Sequence, residues 1–280
     1  MDIVVFTSVI FAAFLHAAWN AMVKNHKDKY VSISAIVLGH VPASIIVIFF
    51  VPSPSIESIP YIITSAFIHL GYQWFLLSSY RYGDYIKVYP IARGSGPVFA
   101  TIVLLLFFSV VLTNYEIVGI FVISFGILSL SFQDKFNFES KKTIILALST
   151  GIFIGAYSIV DGFGARLSLS PLSYMGWSFI LNAFMFPFFL KFMKKPKIYN
   201  KVFTEGKKIF FIGGTISYVV YAIIVWSFTQ APIPLVSALR ETSVIMAIII
   251  GTIFLKERFT ILKAFSIMII FFGIVLLKFF

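Results

Sequence analysis

Two arginines and one glutamate lie in segments of the chain that are otherwise almost wholly apolar. Arg93 falls within VYPIARGSGP (residues 88–97), and Arg240 and Glu241 end the stretch QAPIPLVSALRE (residues 230–241). A guanidinium binds a carboxylate or phosphonate through two parallel hydrogen bonds, so one or both arginines are candidates for holding an anionic substrate. The alternatives are a structural lock, in which an arginine pairs with Glu241 or with freed backbone carbonyls, and a gating or snorkelling role.

Polar and aromatic side chains recur at helical spacing in the same kind of segment. His16, Trp19 and Asn20 fall at i, i+3 and i+4, which places them on one helix face, and the pattern recurs at residues 69–73. The predicted substrate-binding residues are His16, Trp19, Asn20, His69, Gln73, Tyr89, Arg93, Tyr157, Tyr218, Tyr221, Arg240 and Glu241. The competing interpretations are helix-to-helix hydrogen bonds for the amides, satisfied buried histidines, and aromatic anchors at a membrane surface.

Several kinds of chemistry lack the residues that they need. The chain has no cysteine, no GxxxxGK phosphate loop and no HExxH pair. Thiol chemistry and disulfides are excluded, and nothing indicates ATP hydrolysis or a zinc site. We therefore predict no enzymatic activity, no metal and no cofactor. An intramembrane enzyme stays as an alternative.

Composition places these candidate residues in a membrane protein. Hydrophobic residues make up 60% of the 280 and charged residues only 12%, whereas soluble domains are about a quarter charged. The apolar runs are continuous and close to the ~20 residues that span a bilayer as a helix, which favours a helical bundle over a β-barrel. We predict an all-α integral membrane protein with ten transmembrane helices, at residues 3–23, 31–51, 59–80, 86–108, 116–132, 142–161, 172–190, 208–229, 232–254 and 260–278.

The two halves of the chain resemble each other at a constant offset of 147 residues. This register places Arg93 on Arg240, Thr113 on Thr260 and Phe125-Gly126-Ile127 on Phe272-Gly273-Ile274. An offset of five spans reverses the direction of insertion, so the sequence predicts two inverted five-helix repeats, residues 1–133 and 134–280, within one integrated transmembrane domain. Such repeats usually bind substrate at their interface, near the middle of the bilayer.

Basic residues concentrate in the odd-numbered connections between predicted spans. Eighteen of the 22 lysines and arginines fall there, so the positive-inside rule puts these connections in the cytoplasm and both termini outside. The lysines orient the protein in the lipid bilayer, and we predict no nucleic-acid partner. The oligomeric state is not predictable from these features.

Local sequence around Arg93 suggests an irregular helix. Pro90 and Pro97 each remove a backbone hydrogen bond, and Gly94 and Gly96 weaken the turn between them. Broken helices at membrane depth are tolerated only inside the protein or beside a wet cavity, so this segment is expected at the binding site. In the second repeat Pro232 and its neighbour Pro234 fall at a helix start, where they are harmless.

Four segments of the chain resemble a known family. LKERFT (residues 255–260) followed by a helix ending in FFGIVLL (residues 271–277) is similar to the EamA branch of the drug/metabolite transporter superfamily. HAAWNAMVK (residues 16–24) and DGFGARLSLSPLSY (residues 161–174) resemble a bacterial subgroup of it. The first half departs from the pattern, with SVVLT (residues 109–113) where the family usually has a glutamate, and members are commonly drawn with cytoplasmic termini.

The resemblance implies ten helices, a central cavity, and export or exchange of small metabolites such as amino acids without nucleotide hydrolysis. With the arginines, it predicts a secondary transporter of an anionic or zwitterionic metabolite, resident in the plasma (inner) membrane as a multi-pass efflux protein. A lipid-type flippase is a further alternative. If protons drive transport, Glu241 is the first candidate carrier and His16 the second; facilitated diffusion and exchange are equally open.

Overall fold

The structure is a computed structural model, and it describes residues 1–83, 85–132, 140–195, 197–254 and 256–279. These residues are mostly helical and include no strand. The helices are α1 (Ile3–Asn25), α2 (Lys29–Ile48), α3 (Ile59–Tyr82), α4 (Tyr85–Phe107), α5 (Asn114–Ser129), α6 (Lys141–Leu167), α7 (Pro171–Phe192), α8 (Ile198–Val202), α9 (Gly214–Gln230), α10 (Ile233–Arg240), α11 (Ser243–Phe254) and α12 (Ile261–Phe279). The predicted boundary between repeats, at residues 133 and 134, lies outside the described residues, as do Lys135 and Leu255.

Nine helical segments of the described chain are long and apolar enough to cross a membrane. They comprise α1, α2, α4 from residue 87, α5 with the turn that follows it, α6, α7, α9 with the π-helical turn that precedes it, α10 together with α11, and α12. The chain is therefore a multi-pass membrane protein. The one predicted span that is missing from the nine, residues 59–80, corresponds to α3, which has 24 residues but is too polar to be counted among them.

One end of the helical bundle holds the ends of α1, α3 and α7 and the starts of α2, α6 and α12. Lys24 at the end of α1 forms an ion pair with Glu257, which precedes α12. Thr143 in the first turn of α6 donates to the carbonyl of Tyr82 at the end of α3, at 3.0 Å. Lys195, after α7, lies over the ring of Tyr30 at the start of α2, at 5.3 Å. Because most of the lysines lie at or near these helix ends, we refer to this end as the basic end.

The opposite end holds the chain termini. The Nζ of Lys278 donates to the carbonyl of Met1 at 3.3 Å, so α1 begins beside the point where α12 ends. At this end Ser55, ahead of α3, also donates to the carbonyl of Leu167, the last residue of α6, at 2.8 Å. Helix α3 thus runs antiparallel to α6 and is tied to it at both ends.

The prediction of an irregular helix around Arg93 was wrong, because α4 is continuous through Pro90 and Pro97. The two glycines between the prolines serve close packing. A Cβ added at Gly94 would lie 3.0 Å from the Ser124 carbonyl of α5, and one at Gly96 would lie 2.8 Å from a side-chain carbon of Ile154 on α6. Tight packing on both sides holds the helix together despite two missing N–H donors.

The interruption occurs in the repeat-equivalent helix, at Glu241 and Thr242 between α10 and α11. The backbone N–H of Glu241 bonds the carbonyl of Ala238 at 3.1 Å, and that of Thr242 bonds Leu239 at 3.0 Å. These i to i−3 bonds replace the α-helical pattern over one turn and tighten the backbone there. As predicted, the helix start at Pro232 is regular: this residue is the N-cap, and α10 begins at Ile233.

Candidate functional site

Arg93 and Arg240, which lie 147 residues apart in the sequence, meet at a single buried carboxylate. Arg93 Nε on α4 lies 2.6 Å from Glu241 Oε2, and Arg240 Nε lies 3.4 Å from Glu241 Oε1. All three side chains are buried, with exposed fractions of 6% or less. The structural alternative, a lock through Glu241, is thus present for Arg93, but one carboxylate cannot neutralise two guanidiniums.

The pairing is unequal. Arg93 also approaches Ser243 Oγ at 3.4 Å and lies over the ring of Tyr89 at 5.7 Å. The Nη2 of Arg240 has no hydrogen-bond partner among the described residues, and its guanidinium lies over the Tyr157 ring at 5.6 Å. Arg93 Nε also lacks a hydrogen-bond partner there, because its approach to Glu241 Oε2 is a charge contact without hydrogen-bond geometry. Since a buried donor without a partner is costly, both guanidiniums have a donor that is ready to receive an anion, and that of Arg240 is Nη2.

A cavity of about 140 Å³ opens beside the arginines, between α1, α2, α3, α4, α6, α7 and α9. Ten of the twelve predicted site residues line it: His16, Trp19, Asn20, His69, Gln73, Tyr89, Arg93, Tyr157, Tyr221 and Arg240. The helical spacing therefore identified one common surface. That these residues bind a substrate stays a prediction.

The other two predicted site residues do not reach this cavity. Glu241 is fully buried behind the arginines, as their counter-ion. Tyr218 points from α9 towards Phe179, with ring centroids 6.1 Å apart, and is 5% exposed. Tyr218 and Tyr221 are three residues apart and so lie on the same helix face, but only Tyr221 lines the cavity.

The most important residue that the prediction missed is Asp161. The predicted span ended at residue 161, but α6 continues to Leu167, which puts this carboxylate well inside the bundle with 1% exposed. His69 Nε2 lies 3.3 Å from Oδ2, Tyr221 donates to the same oxygen, and Tyr174 donates to Oδ1 at 2.9 Å. The four-residue spacing from Tyr157, on one helix face, was the signal available in the sequence.

Two further polar pairs brace the cavity wall. Gln73 Nε2 donates to Asn182 Oδ1 at 3.1 Å, and Asn182 Nδ2 donates to the Ala66 carbonyl at 3.2 Å. His40, which was not among the predicted site residues, has its Nε2 3.1 Å from Ser217 Oγ and lines the cavity. The side-chain amide of Gln73 thus forms a hydrogen bond between two helices, as one of the competing interpretations predicted, and Gln73 also lines the cavity.

Comparison with known proteins adds to this geometry. Residues 141–279, from α6 to α12, match the family model described as "EamA-like transporter family". The chain belongs to this family. The resemblance in the sequence is thereby confirmed, and the family lies in the drug/metabolite transporter superfamily.

The fold of this EamA-like protein is also that of a solved structure. A crystal structure described only as that of a protein superposes with a TM-score of 0.76 at 13% sequence identity, and the match covers 98% of each chain. At that identity the likeness concerns the fold alone. No curated protein sequence matches the chain.

A second cavity of about 110 Å³ lies between the central one and the basic end of this EamA-like protein. Asn20 and Tyr89 line both cavities, so their side chains form part of the partition. The outer wall carries Glu257 of LKERFT with Lys24 and, at 3.5 Å from Nζ to Oε2, Lys263.

The charge cluster of the second cavity exists in one repeat only, since the residue equivalent to Glu257 in the first half is Val110. Burial would raise the pKa of the Glu257 carboxyl, but the hydrogen bond and charge of Lys24, with the charge of Lys263, hold that pKa below its ordinary value of 4.5. Glu257 is therefore ionised near neutral pH and ties α1 to the start of α12.

Proposed function

We propose that this protein is a secondary transporter that moves a small anionic or zwitterionic metabolite, such as an amino acid or a related compound, by alternating access. The family supports transport as the general activity. The observation that carries the substrate class is the arginine pair on the cavity wall, which shares one glutamate and leaves the Nη2 of Arg240 without a partner. A substrate carboxylate or phosphonate would supply the missing acceptors.

The proposal includes ten membrane spans, namely the nine apolar segments and α3. Helix α3 is bonded to both ends of α6, one of the nine apolar candidates, and therefore covers the same depth. The contact between Met1 and Lys278 puts both termini at one end of the bundle, which requires an even number of crossings. Ten satisfies both observations.

The proposal also includes the inverted repeat, and reciprocal contacts between α5 and α12 support it. A Cβ at Gly126 would lie 2.8 Å from Ile270 Cγ1, and a Cβ at Gly273 would lie 2.6 Å from Ile123 Cγ1. At the offset of 147 residues, Gly126 corresponds to Gly273 and Ile123 to Ile270. The glycine of α5 thus contacts α12 in the same way as the equivalent glycine of α12 contacts α5, which is the reciprocity expected of two elements related by a two-fold axis.

The backbone supplies a second sign of the repeat. Among the described residues other than glycine, positive φ angles occur at Ser109 (50°), Lys194 (58°) and Lys256 (55°). Ser109 and Lys256 are 147 residues apart, each just after the fourth helix of its half. A left-handed residue of different side-chain type at matching positions supports a common backbone path.

In this proposal the protein resides in the plasma (inner) membrane, with the basic end in the cytoplasm, and works as an exporter or exchanger. It performs no chemical step on its substrate. The absence of cysteine makes the orientation simple to test, since a single cysteine introduced at Lys27 or at Ser53 reacts with an impermeant maleimide only on its own side. We expect reaction from outside the cell at Ser53 and not at Lys27.

Thermal-shift screening of the purified protein tests the substrate class. Amino acids, organic acids, phosphonates and amines are compared in wild-type protein, Arg240→Gln and the control Arg81→Gln, which removes a guanidinium at the basic end of α3. We expect stabilisation by one or more anionic or zwitterionic compounds that Arg240→Gln abolishes and Arg81→Gln preserves. If only cations and neutral apolar compounds stabilise the protein, the anion site is wrong.

Counterflow in proteoliposomes then tests the activity with the best stabilising compound. A transporter exchanges labelled external compound for unlabelled internal compound and saturates. Recovery of a chemically altered compound would instead favour an intramembrane enzyme. Stabilisation confined to lipid headgroup compounds, with movement of labelled lipid between leaflets, would favour a flippase.

A further inference from the structure

The cluster around Asp161 has no part in holding an anion, although it adjoins the cavity. Both carboxylate oxygens are occupied, Oδ1 by Tyr174 and Oδ2 by His69 and Tyr221, and the side chain is 1% exposed. Asp161 is therefore closed to a substrate ammonium. His69 and Tyr221 lie between it and the cavity, which both of them line.

The carboxylate fixes the tautomer of His69. An ionised carboxylate only accepts hydrogen bonds, so Nε2 of the neutral imidazole must donate to Asp161 and Nδ1 must carry the lone pair. A proton that adds to Nδ1 makes an imidazolium paired with Asp161 at 3.3 Å. The ring keeps 12% of its side-chain surface exposed and stacks on Tyr157 at 4.4 Å, which leaves it reachable from the cavity.

Other titratable groups surround this pair, and none of them competes for the role. The neighbours of His69 and Asp161 are Tyr72 on α3, Tyr157 on α6, Tyr174 on α7, Tyr221 on α9 and, across the cavity, His40 on α2 and Arg240 on α10. The tyrosines serve as hydrogen-bond donors or ring partners. His40 bonds Ser217, and no carboxylate among the described residues pairs with it or with His16.

A charge count links this pair to the arginines. Among the described residues, the charged groups that line the central cavity, or whose side chains pair with an arginine or a histidine that lines it, are Arg93 and Arg240, each +1, and Glu241 and Asp161, each −1. They sum to zero while His69 is neutral. A bound monoanion brings the site to −1, and a proton on His69 returns it to zero. In a medium of low dielectric constant, each of the two charges favours binding of the other.

We propose that His69, held by Asp161, is the binding site of a coupling proton that crosses the membrane in the same direction as the anionic substrate, so that export runs down the substrate's own gradient and carries the proton out with it. The inference rests on the proposed transport function. It replaces Glu241 and His16 as the candidate carriers: Glu241 is held by two guanidiniums and does not line the cavity, and His16 has no acidic partner in the described part of the chain.

Proteoliposomes with labelled lactate and methylphosphonate as probes test the coupling. Two measurements are made on each variant: exchange without a pH gradient, and net uptake with the outside one pH unit more acidic. For one-to-one coupling we expect up to about tenfold accumulation in wild-type protein. Asp161→Asn, which removes the acidic partner of His69 behind the cavity wall, should keep exchange and lose the accumulation, and His69→Gln should lose the accumulation. His26→Gln, which removes a histidine of the loop after α1, should keep both.

The outcomes separate the two proposals. Exchange and accumulation that survive in His69→Gln overturn the proton site. Exchange without any response to the pH gradient in wild-type protein overturns the coupling and leaves the transport function intact. Absence of exchange for both probes in wild-type protein contradicts the proposed substrate class and the coupling with it.

A spectroscopic measurement covers variants that fold poorly. The chain has four histidines, so single His→Gln substitutions assign every Cε1 resonance in the NMR spectrum of the labelled protein. We expect Asp161→Asn, or the milder Tyr221→Phe, to shift the His69 resonance, because each substitution changes the hydrogen bonds around the carboxylate that Nε2 contacts. A His69 resonance that neither substitution moves overturns the pairing.

Discussion

Arg93 and Glu241 form an ion pair between the two halves of the chain, with Nε 2.6 Å from Oε2 in the centre of the bundle. Glu241 follows directly after Arg240, the repeat counterpart of Arg93, and so lies within reach of both guanidiniums. The pair joins α4 to the interrupted turn between α10 and α11. A contact at this place ties the packing of the two repeats to the charge of the cavity wall.

Glu241→Gln is expected to destabilise the protein strongly. Removing the shared carboxylate leaves two buried guanidiniums without a counter-ion, and loss of one partner of a buried pair costs about 3–5 kcal/mol. Arg93→Gln should cost less, because Arg240 still compensates Glu241. The free energy of unfolding in mild detergent measures both effects. The double variant Arg93→Gln/Glu241→Gln should recover part of the loss, and strictly additive effects would contradict the pairing.

Acid is expected to weaken the ion pairs of Glu257. A pKa held below 4.5 in the folded protein means that the ionised carboxylate stabilises the folded state at neutral pH, and that this contribution is lost as the pH falls through the folded-state pKa. The difference in Tm between wild-type protein and Glu257→Gln should be present at pH 7 and shrink below about pH 4.5. Glu205→Gln, which removes an exposed helix pair with Lys201, should have little effect at either pH. A Glu257→Gln difference that is constant with pH would contradict the assignment.

Lys256→Gly is expected to leave stability unchanged or raise it by up to about 1 kcal/mol. Lys256 has a φ of 55°, at which residues other than glycine are strained, so glycine relieves strain in the folded protein. Glycine also raises the conformational entropy of the unfolded chain, which offsets part of this gain in stability. Ser109→Gly, at the equivalent position of the first half, should behave alike. Lys191→Gly, in the last turn of α7, should instead cost about 1 kcal/mol. Thermal unfolding of the three variants tests whether the two halves share this backbone path. Opposite effects of the substitutions at residues 109 and 256 would count against the repeat.

Gly155→Ala is expected to separate α4 from α6. A Cβ at Gly155 would lie 2.7 Å from the carbonyl of Gly96, a backbone atom that cannot turn aside. Gly176→Ala on α7 is the matched control, because its new methyl group meets only a side-chain carbon of Ile48 at 2.9 Å, which can rotate. We expect Gly155→Ala to lower Tm by several degrees more than Gly176→Ala does. Similar Tm values for the two variants would show that close packing at Gly155 is dispensable.

Helical spacing and the offset of 147 residues were enough to predict ten residues that line the central cavity. His16, Trp19 and Asn20 lie on one face because 3.6 residues make a turn, and Arg240 follows from Arg93 by the offset alone. Asp161 was missed because apolar composition falls off near it while the helix continues for six residues. A span drawn by hydropathy ends where polarity begins, and here the polar residues are buried partners of His69 and Tyr221.

The position of the helix interruption also could not be predicted from the proline and glycine residues of the local sequence. Proline and glycine predict a break in α4 because each weakens an isolated helix, but contacts with Ser124 and Ile154 hold that segment in place. In the second half the residues at the break, Glu241 and Thr242, carry no comparable signal. The interrupted turn occurs where Glu241 pairs with Arg93, a residue far away in the sequence, and a contact of that kind cannot be predicted from local sequence.

The difference between α4 and the segment 147 residues later, α10 with α11, assigns unequal mechanical roles to the two halves of the chain. Helix α4 is continuous, whereas α10 and α11 are joined by a tightened turn at Glu241, the residue that pairs with Arg93. Bending at that turn would move Glu241 relative to α4 and alter the field at both guanidiniums together. We therefore expect flexibility to be concentrated in a few peptide units of the second half, while the first half provides the fixed surface against which the motion is made.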